Sequence, residues 1–186
     1  MHHHHHHENL YFQGMKIFKD VFSGDELFSD TYKFKLLDDC LYEVYGKYVT
    51  RTEGDVVLDG ANASAEEAMD DCDSSSTSGV DVVLNHRLVE TGFGSKKDYT
   101  VYLKDYMKKV VTYLEENGKQ AEVDTFKTNI NKVMKELLPR FKDLQFYTGE
   151  TMDPEAMIIM LEYKEVDGKD IPVLYFFKHG LNEEKF

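Results

Sequence analysis

The chain has 186 residues, 35 acidic against 22 basic, and a formal net charge of −13. That surplus of carboxylates excludes a nucleic-acid binder, whose footprint is basic over much of one face. No apolar run approaches the roughly 18 residues that span a bilayer, and KIFKDVFSGDELFSD is no signal peptide.

The first fourteen residues, MHHHHHHENLYFQG, are a purification tag joined to a protease-cleavage sequence, so the fold is read from Met15 as one domain over residues 15–186. Residues 16–51 are rich in aromatic and β-branched side chains. Tyr32-Lys33-Phe34-Lys35-Leu36 alternates apolar and basic, the period of a half-buried strand. Asp38-Asp39 supplies a turn and LYEVYGKYVTR a return strand, which predicts a β-hairpin. From Gly54 to about Gly79 the chain turns acidic and serine-rich. Eight residues between Glu53 and Asp73 are acidic, and no Lys or Arg lies between Arg51 and Arg87. Almost no large apolar residue follows Leu58 to offset an ordering entropy of about 1–2 kcal/mol per residue, so 54–79 is expected to be a long flexible acidic loop. Order resumes at VDVVLNHRLVET, where Val82, Leu84, His86 and Leu88 fall on one face of a predicted strand.

The period then changes. In SKKDYTVYLKDYMKKVVTYLEENG, residues Tyr99, Tyr102, Leu103, Tyr106, Val110 and Leu114 recur at three and four, predicting a helix capped by Ser95 and ended by Asn117-Gly118. Val123, Phe126, Ile130, Val133, Met134, Leu137 and Leu138 predict a second helix that stops near Pro139, so residues 95–138 form a helical hairpin. FKDLQFYTGE, MIIMLEYKEV and DIPVLYFFK read as strands, the last two joined through Asp167-Gly168, a strong hairpin signal. The fold class is therefore α+β: a mainly antiparallel sheet with a projecting helical hairpin. Charge is segregated along the same lines. Residues 95–142 hold 11 basic and 7 acidic residues, a net of +4, which leaves −16 on the rest of the tag-free chain.

Catalytic signatures are missing. The chain has no P-loop, no dinucleotide fingerprint and no Gly-x-Ser-x-Gly elbow, and is not expected to be an enzyme. Outside the tag, only His86 and His179 could serve as general bases; each also reads as structural, His86 in a strand and His179 in a turn before Gly180. Cys40 follows two aspartates that hold its thiolate in check, and with Cys72 it is too little for a disulfide framework or a four-ligand zinc site. A calcium loop started at Asp71 offers Asp73 and Ser75, but Ser76 stands where glycine is needed and Val82 where glutamate is needed. Weak calcium association by the acidic stretch remains, with no cofactor required. Lys104, Lys108 and Lys109 lie opposite the aromatic stripe, as do Lys127 and Lys135 on the second helix. They form either a solvated face or a surface for an acidic partner such as tubulin.

Several segments occur in an order that carries a resemblance: DELFSDTYK, VTRTEG, GANASAEE, NHRLVETGF, KDYMKK, FKDLQFYTGETMDPEAM and KHGLNEEKF. Together they resemble the translationally controlled tumour protein family over essentially the whole chain from Met15. The resemblance implies a small, cytoplasmic, non-enzymatic interaction protein. Its implied fold is a tent of β-sheets similar to the guanine-nucleotide-free chaperone of Rab GTPases. Implied partners are small Ras-type GTPases, the translation elongation factor 1 complex, tubulin, calcium and anti-apoptotic proteins, with catalysed nucleotide exchange not expected. Carried over by position, the GTPase contact falls on Asp25 and Glu26, chiefly Glu26, where the alternative is a surface turn acid. Tubulin binding falls on the hairpin lysines. Two departures limit the transfer. The loop after Gly54 is shorter than in vertebrate members and lacks their mid-loop kinase serine. The last residue is Phe186 rather than the cysteine that links vertebrate dimers, so a monomer is expected.

Overall fold

A computed structural model describes residues 14–52 and 76–186. Its first strands are β1 (Lys16–Asp20), β2 (Glu26–Ser29), β3 (Lys33–Leu37), β4 (Leu41–Tyr45), β5 (Tyr48–Thr52) and β6 (Ser76–Val80). Helix α1 (Asp81–His86), β7 (Val89–Thr91), α2 (Lys96–Glu116) and α3 (Val123–Leu137) follow. The chain closes with β8 (Gln145–Thr148), β9 (Ile159–Val166), β10 (Lys169–Phe177) and β11 (Leu181–Lys185). Among the described residues the strands form three antiparallel sheets, ordered β11-β1-β2, β3-β4-β10-β9-β8-β7 and β5-β6. The architecture is α+β, and no described helix is long and apolar enough to cross a membrane.

Local chemistry explains the tightest connections. Asp167 (φ 54°) and Gly168 (φ 79°) are both left-handed, as a two-residue hairpin turn requires, and set Val166 opposite Lys169. Asp38 and Asp39 take φ of 46° and 53° between β3 and β4, and Cys40 N–H closes the turn on the Leu37 carbonyl at 3.0 Å. At the start of α2, Ser95 Oγ accepts from the Asp98 N–H at 3.1 Å, the predicted cap. Tyr99, Leu103, Tyr106, Val110 and Leu114 are buried along α2, and Phe126, Ile130, Val133, Met134 and Leu137 along α3.

Aromatic side chains join the layers. Phe18 stacks on Phe28 at 4.4 Å and Phe28 meets Phe176 at 4.5 Å, which packs the three-stranded sheet on the six-stranded one. Tyr99 and Phe93 pack on Phe146 at 5.2 and 5.0 Å, seating the hairpin on β8. A polar network ties the end of the hairpin to the sheet. Arg140 clasps Glu162 with Nε and Nη2, each at 2.9 Å, Tyr175 donates to Glu162, and Lys164 donates to Glu43 at 2.8 Å.

Three expectations change. The segment predicted as a strand at Val82–Leu88 is helix α1, and β7 begins only at Val89. The period of two among its apolar residues is overridden by local hydrogen bonds. Asp81 Oδ1 accepts from the N–H groups of Lys47 and Val82, and the N–H groups of Arg87 and Leu88 close on the Leu84 and Val83 carbonyls with Arg87 left-handed. His86 accordingly ends a helix and is not in a strand. Secondly, the loop expected over 54–79 ends earlier, because Ser76–Gly79 pair with Val49–Thr52; its remainder, 54–75, with Cys72 and the calcium-loop register at Asp71–Ser75, lies outside the described residues. Thirdly, residues 138–143 form 3-10 turns and the following strand starts at Gln145, since Pro139 and the left-over helical register carry the chain on from α3.

Candidate functional site

A polar cleft of about 260 Å³ opens at the beginning of β2, between α1 and the loop that follows β8. The connection between β1 and β2 is built on Asp20. This buried carboxylate accepts from the Phe22 N–H at 2.8 Å and, across the fold, from the Met157 N–H at 2.9 Å. Burial pushes its carboxyl above the ordinary carboxylate range against the pull of those bonds.

Asp25 and Glu26 come next, and the structure treats them differently. Asp25 Oδ2 accepts from the Thr151 N–H at 3.2 Å and from Thr151 Oγ1 at 2.8 Å. The same loop is held by Tyr102, whose hydroxyl donates to the Ala156 carbonyl at 2.6 Å and accepts from the Ile158 N–H at 2.9 Å. Glu26 is exposed, lines the cleft, and makes no side-chain hydrogen bond or ion pair among the described residues. A rigid frame thus presents one free carboxylate.

The opposite wall is α1 and its exit. His86 packs edge-on against Tyr32 at 5.7 Å, and Asn85 Nδ2 donates to the Tyr32 hydroxyl at 2.7 Å. Burial pulls the His86 pKa below its ordinary value, partly countered by Glu26 and Asp81, so the imidazole is neutral near pH 7. Arg87 (φ 55°) and Met152 (φ 59°) are non-glycine residues in the left-handed region, a combination that costs of order 1 kcal/mol and clusters at functional sites. Both are exposed: the Arg87 side chain 74%, in loose contact with Glu150 at 3.6 Å, and Met152 59%. The sequence points to Asp25 and Glu26 but not to His86, Arg87 or Glu150 as neighbours of the same cleft. No spacing signal links positions 26, 87 and 150; only the αL exit of α1 and the Thr151 staple bring them together.

The lysines of the hairpin divide. Lys104, Lys108 and Lys127 line an open groove of about 550 Å³ whose floor includes Met107 and Val111. Lys135 is exposed but outside that groove. Lys109 is not on the free face: its Nζ donates to the Glu155 carbonyl at 2.9 Å and lies 4.5 Å over the Phe22 ring. The 100° step per residue carries it round toward the β1–β2 turn, where it shares a shallow pocket with Phe22 and Lys108. Among the described residues no group of three or more His, Cys, Asp or Glu is placed to hold a metal ion.

Comparison with known proteins fits this geometry into a lineage. The sequence pattern of the family described as "Translationally controlled tumour protein" matches residues 15–182. The homologue from Aedes albopictus is 69% identical over 172 residues, covering 92% of this chain and 100% of the relative. The Drosophila melanogaster homologue is 62% identical, covering 92% and 99%. Among solved structures, the translationally controlled tumour-associated protein of Schizosaccharomyces pombe superposes with a TM-score of 0.74 at 41% identity, over 92% of this chain and 99% of that one. The Caenorhabditis elegans protein superposes with a TM-score of 0.67 at 40% identity, over 92% and 98%.

Proposed function

The chain belongs to the translationally controlled tumour protein family, and from that premise we propose that it is a non-enzymatic cytoplasmic interaction protein that binds a small Ras-type GTPase through the Glu26 cleft. One observation carries this reading. Glu26, without a side-chain partner among the described residues, stands on a frame fixed by Asp25 and Asp20, in one cleft with the exposed, left-handed Arg87. A lysine on the GTPase pairs with Glu26, and the exposed arm of Arg87 extends the contact. Elongation factor 1 components and anti-apoptotic proteins belong to the same scaffold role, as do growth-promoting effects; calcium association is weak and structurally non-essential. Affinity capture of the purified GTPase, held nucleotide-free, GDP-bound or bound to a GTP analogue, tests the reading: wild type retains the GTPase in at least one state and Glu26→Val loses it.

A second reading rests on a separate observation, the groove in which Lys104, Lys108 and Lys127 surround Met107 and Val111. Its chemistry suits an acidic segment with apolar anchors, as in a tubulin tail. Co-sedimentation with microtubules should fall steeply with added salt and disappear when Lys104, Lys108 and Lys127 are changed to Glu. Lys109→Glu, by contrast, should act through stability, because that ammonium serves the Glu155 loop.

A further inference from the structure

The six-stranded sheet carries the helical hairpin on one face, marked by Phe146 and Met160 against Tyr99. Strand register puts a different set on the opposite face: Glu90 paired with Tyr147, Tyr147 with Ile159, Tyr163 with Pro172 and Glu165 with Asp170. The middle of that face is core, where Ile159, Leu161, Leu174 and Phe176 are buried and Phe28 packs on Phe176. Its margin is open. Tyr163 is 47% exposed, and Tyr48, at the start of β5, is 64% exposed.

Three tyrosines line this margin. The half-buried Tyr147 donates to Gln145 Oε1 at 3.2 Å, which draws its ring along β8 in the direction of Tyr163. Burial is the main cause that raises the Tyr163 and Tyr147 phenol pKa values. Behind it come Tyr48 for Tyr163, and Glu90 with Tyr163 for Tyr147, so the rings and Glu90 are neighbours. Acids stand at both ends of the row. Glu165 and Asp170 are exposed and directly opposite one another, a like-charge cross-strand pair that destabilises a sheet. Neither of them, nor Glu90, makes a side-chain hydrogen bond or ion pair among the described residues. The adjacent lysines do not relieve them. Alternation sends Lys164 and Lys169 to the hairpin face, where Lys164 is held by Glu43 at 2.8 Å.

We propose that this strip docks an extended, arginine-bearing segment of a partner protein. A guanidinium stacks flat on a tyrosine ring while its N–H groups fork onto a carboxylate, and the strip offers both surfaces together. One arginine sits between Glu165, Asp170 and Tyr163, and another between Tyr147 and Glu90. From Glu165 along β9 and across β8 to β7 the path is roughly 20–25 Å, about six to eight residues of extended chain. A lysine segment supplies the charge without the planar stack, and an acidic segment is repelled.

The test is a ¹H–¹⁵N correlation titration of the full chain at about 0.15 M salt. Its probes are a peptide of about eight residues alternating arginine with serine, which puts every guanidinium on one side of an extended chain, the same peptide with lysine for arginine, and spermine. The arginine peptide should give saturable shifts at Tyr48, Tyr147, Tyr163–Glu165 and Asp170, and should bind at least about threefold more tightly than the lysine peptide or spermine. The double variant Tyr48→Thr/Tyr163→Thr keeps β-branched residues at exposed strand positions, so its spectrum should stay native while affinity falls about tenfold. Glu165→Lys should do the same, and decides alone if the tyrosine variant unfolds. No saturable response up to about 1 mM overturns the proposal. So do shifts confined to the acidic segment 54–75, equal binding of the three probes, or affinity indifferent to the variants, each of which marks plain charge attraction. The strip shares no residue with the Glu26 cleft, so these outcomes leave the GTPase reading untouched.

Discussion

Asp25 and Glu26 are adjacent acids with separate duties, and the separation is testable. Asp25 staples Thr151 with two hydrogen bonds, of which the carboxylate is the common acceptor. Asp25→Ala should cost about 1 kcal/mol, which for a domain of this size is a fall in Tm of about 2–4 °C by calorimetry. Glu26→Ala, at an exposed position without a partner among the described residues, should leave Tm within about 1 °C. From sequence the pair was legible as a candidate site, but which acid is bound and which is free depends on Thr151, 125 residues or more away, and no local pattern encodes that. Cys40 is the reverse case. The aspartates before it suggest a suppressed thiolate, and the structure adds the larger cause: burial, with Asp38 and Asp39 behind it, pushes the thiol up to about 12. In a Cys72→Ser background, Cys40 should be inert to a thiol reagent in the native state and react fully once denaturant is added.

At the scale of elements, the helical hairpin was readable because its apolar period runs for more than three turns, and the β9–β10 hairpin because Asp-Gly demands left-handed backbone. Helix α1 was not. Six residues are too few to establish a period, and its fate is decided by hydrogen bonds from Asp81 and by the left-handed Arg87. Nor was the anchorage of α3 visible: the Arg140–Glu162–Tyr175 network joins residues whose partners are set by strand register. Burial alone would raise the Glu162 carboxyl, but hydrogen bonds from Arg140 and Tyr175 outweigh it and hold the pKa below its ordinary value; Glu43 behaves likewise through Lys164 and Tyr45. Because both folded pKa values are depressed, the stabilisation is fully present above the unfolded value of about 4.3 and is lost as pH falls through the folded values. Chemical denaturation at a series of pH values should therefore show a first, smaller decline below about pH 6.5, where the buried histidines are protonated on unfolding, and a steeper one below about pH 4.5. Glu162→Gln should be less stable at pH 7 and should show a shallower acid decline, since one of the two linked carboxylates is gone.

For the whole molecule, an acidic body carries a basic arm, and each has its own surface: the cleft at Glu26 and the lysine groove on the hairpin. The charge asymmetry was plain in the sequence. The assignment of Lys109 to the free face was not upheld, because only the fold shows that Phe22 and Glu155 occupy that ammonium. The two surfaces share no residue, so substitutions at one should leave binding at the other unchanged. In the proposed mode of binding the Glu26 carboxylate is the principal anchor for the GTPase. Titration calorimetry of the purified small GTPase against wild type, Glu26→Ala and Asp25→Ala measures this directly. Glu26→Ala should weaken binding at least about tenfold, roughly 1.4 kcal/mol, with unchanged Tm, and Asp25→Ala should weaken it less while lowering Tm. Equal affinities of wild type and Glu26→Ala would rule out Glu26 as the anchor.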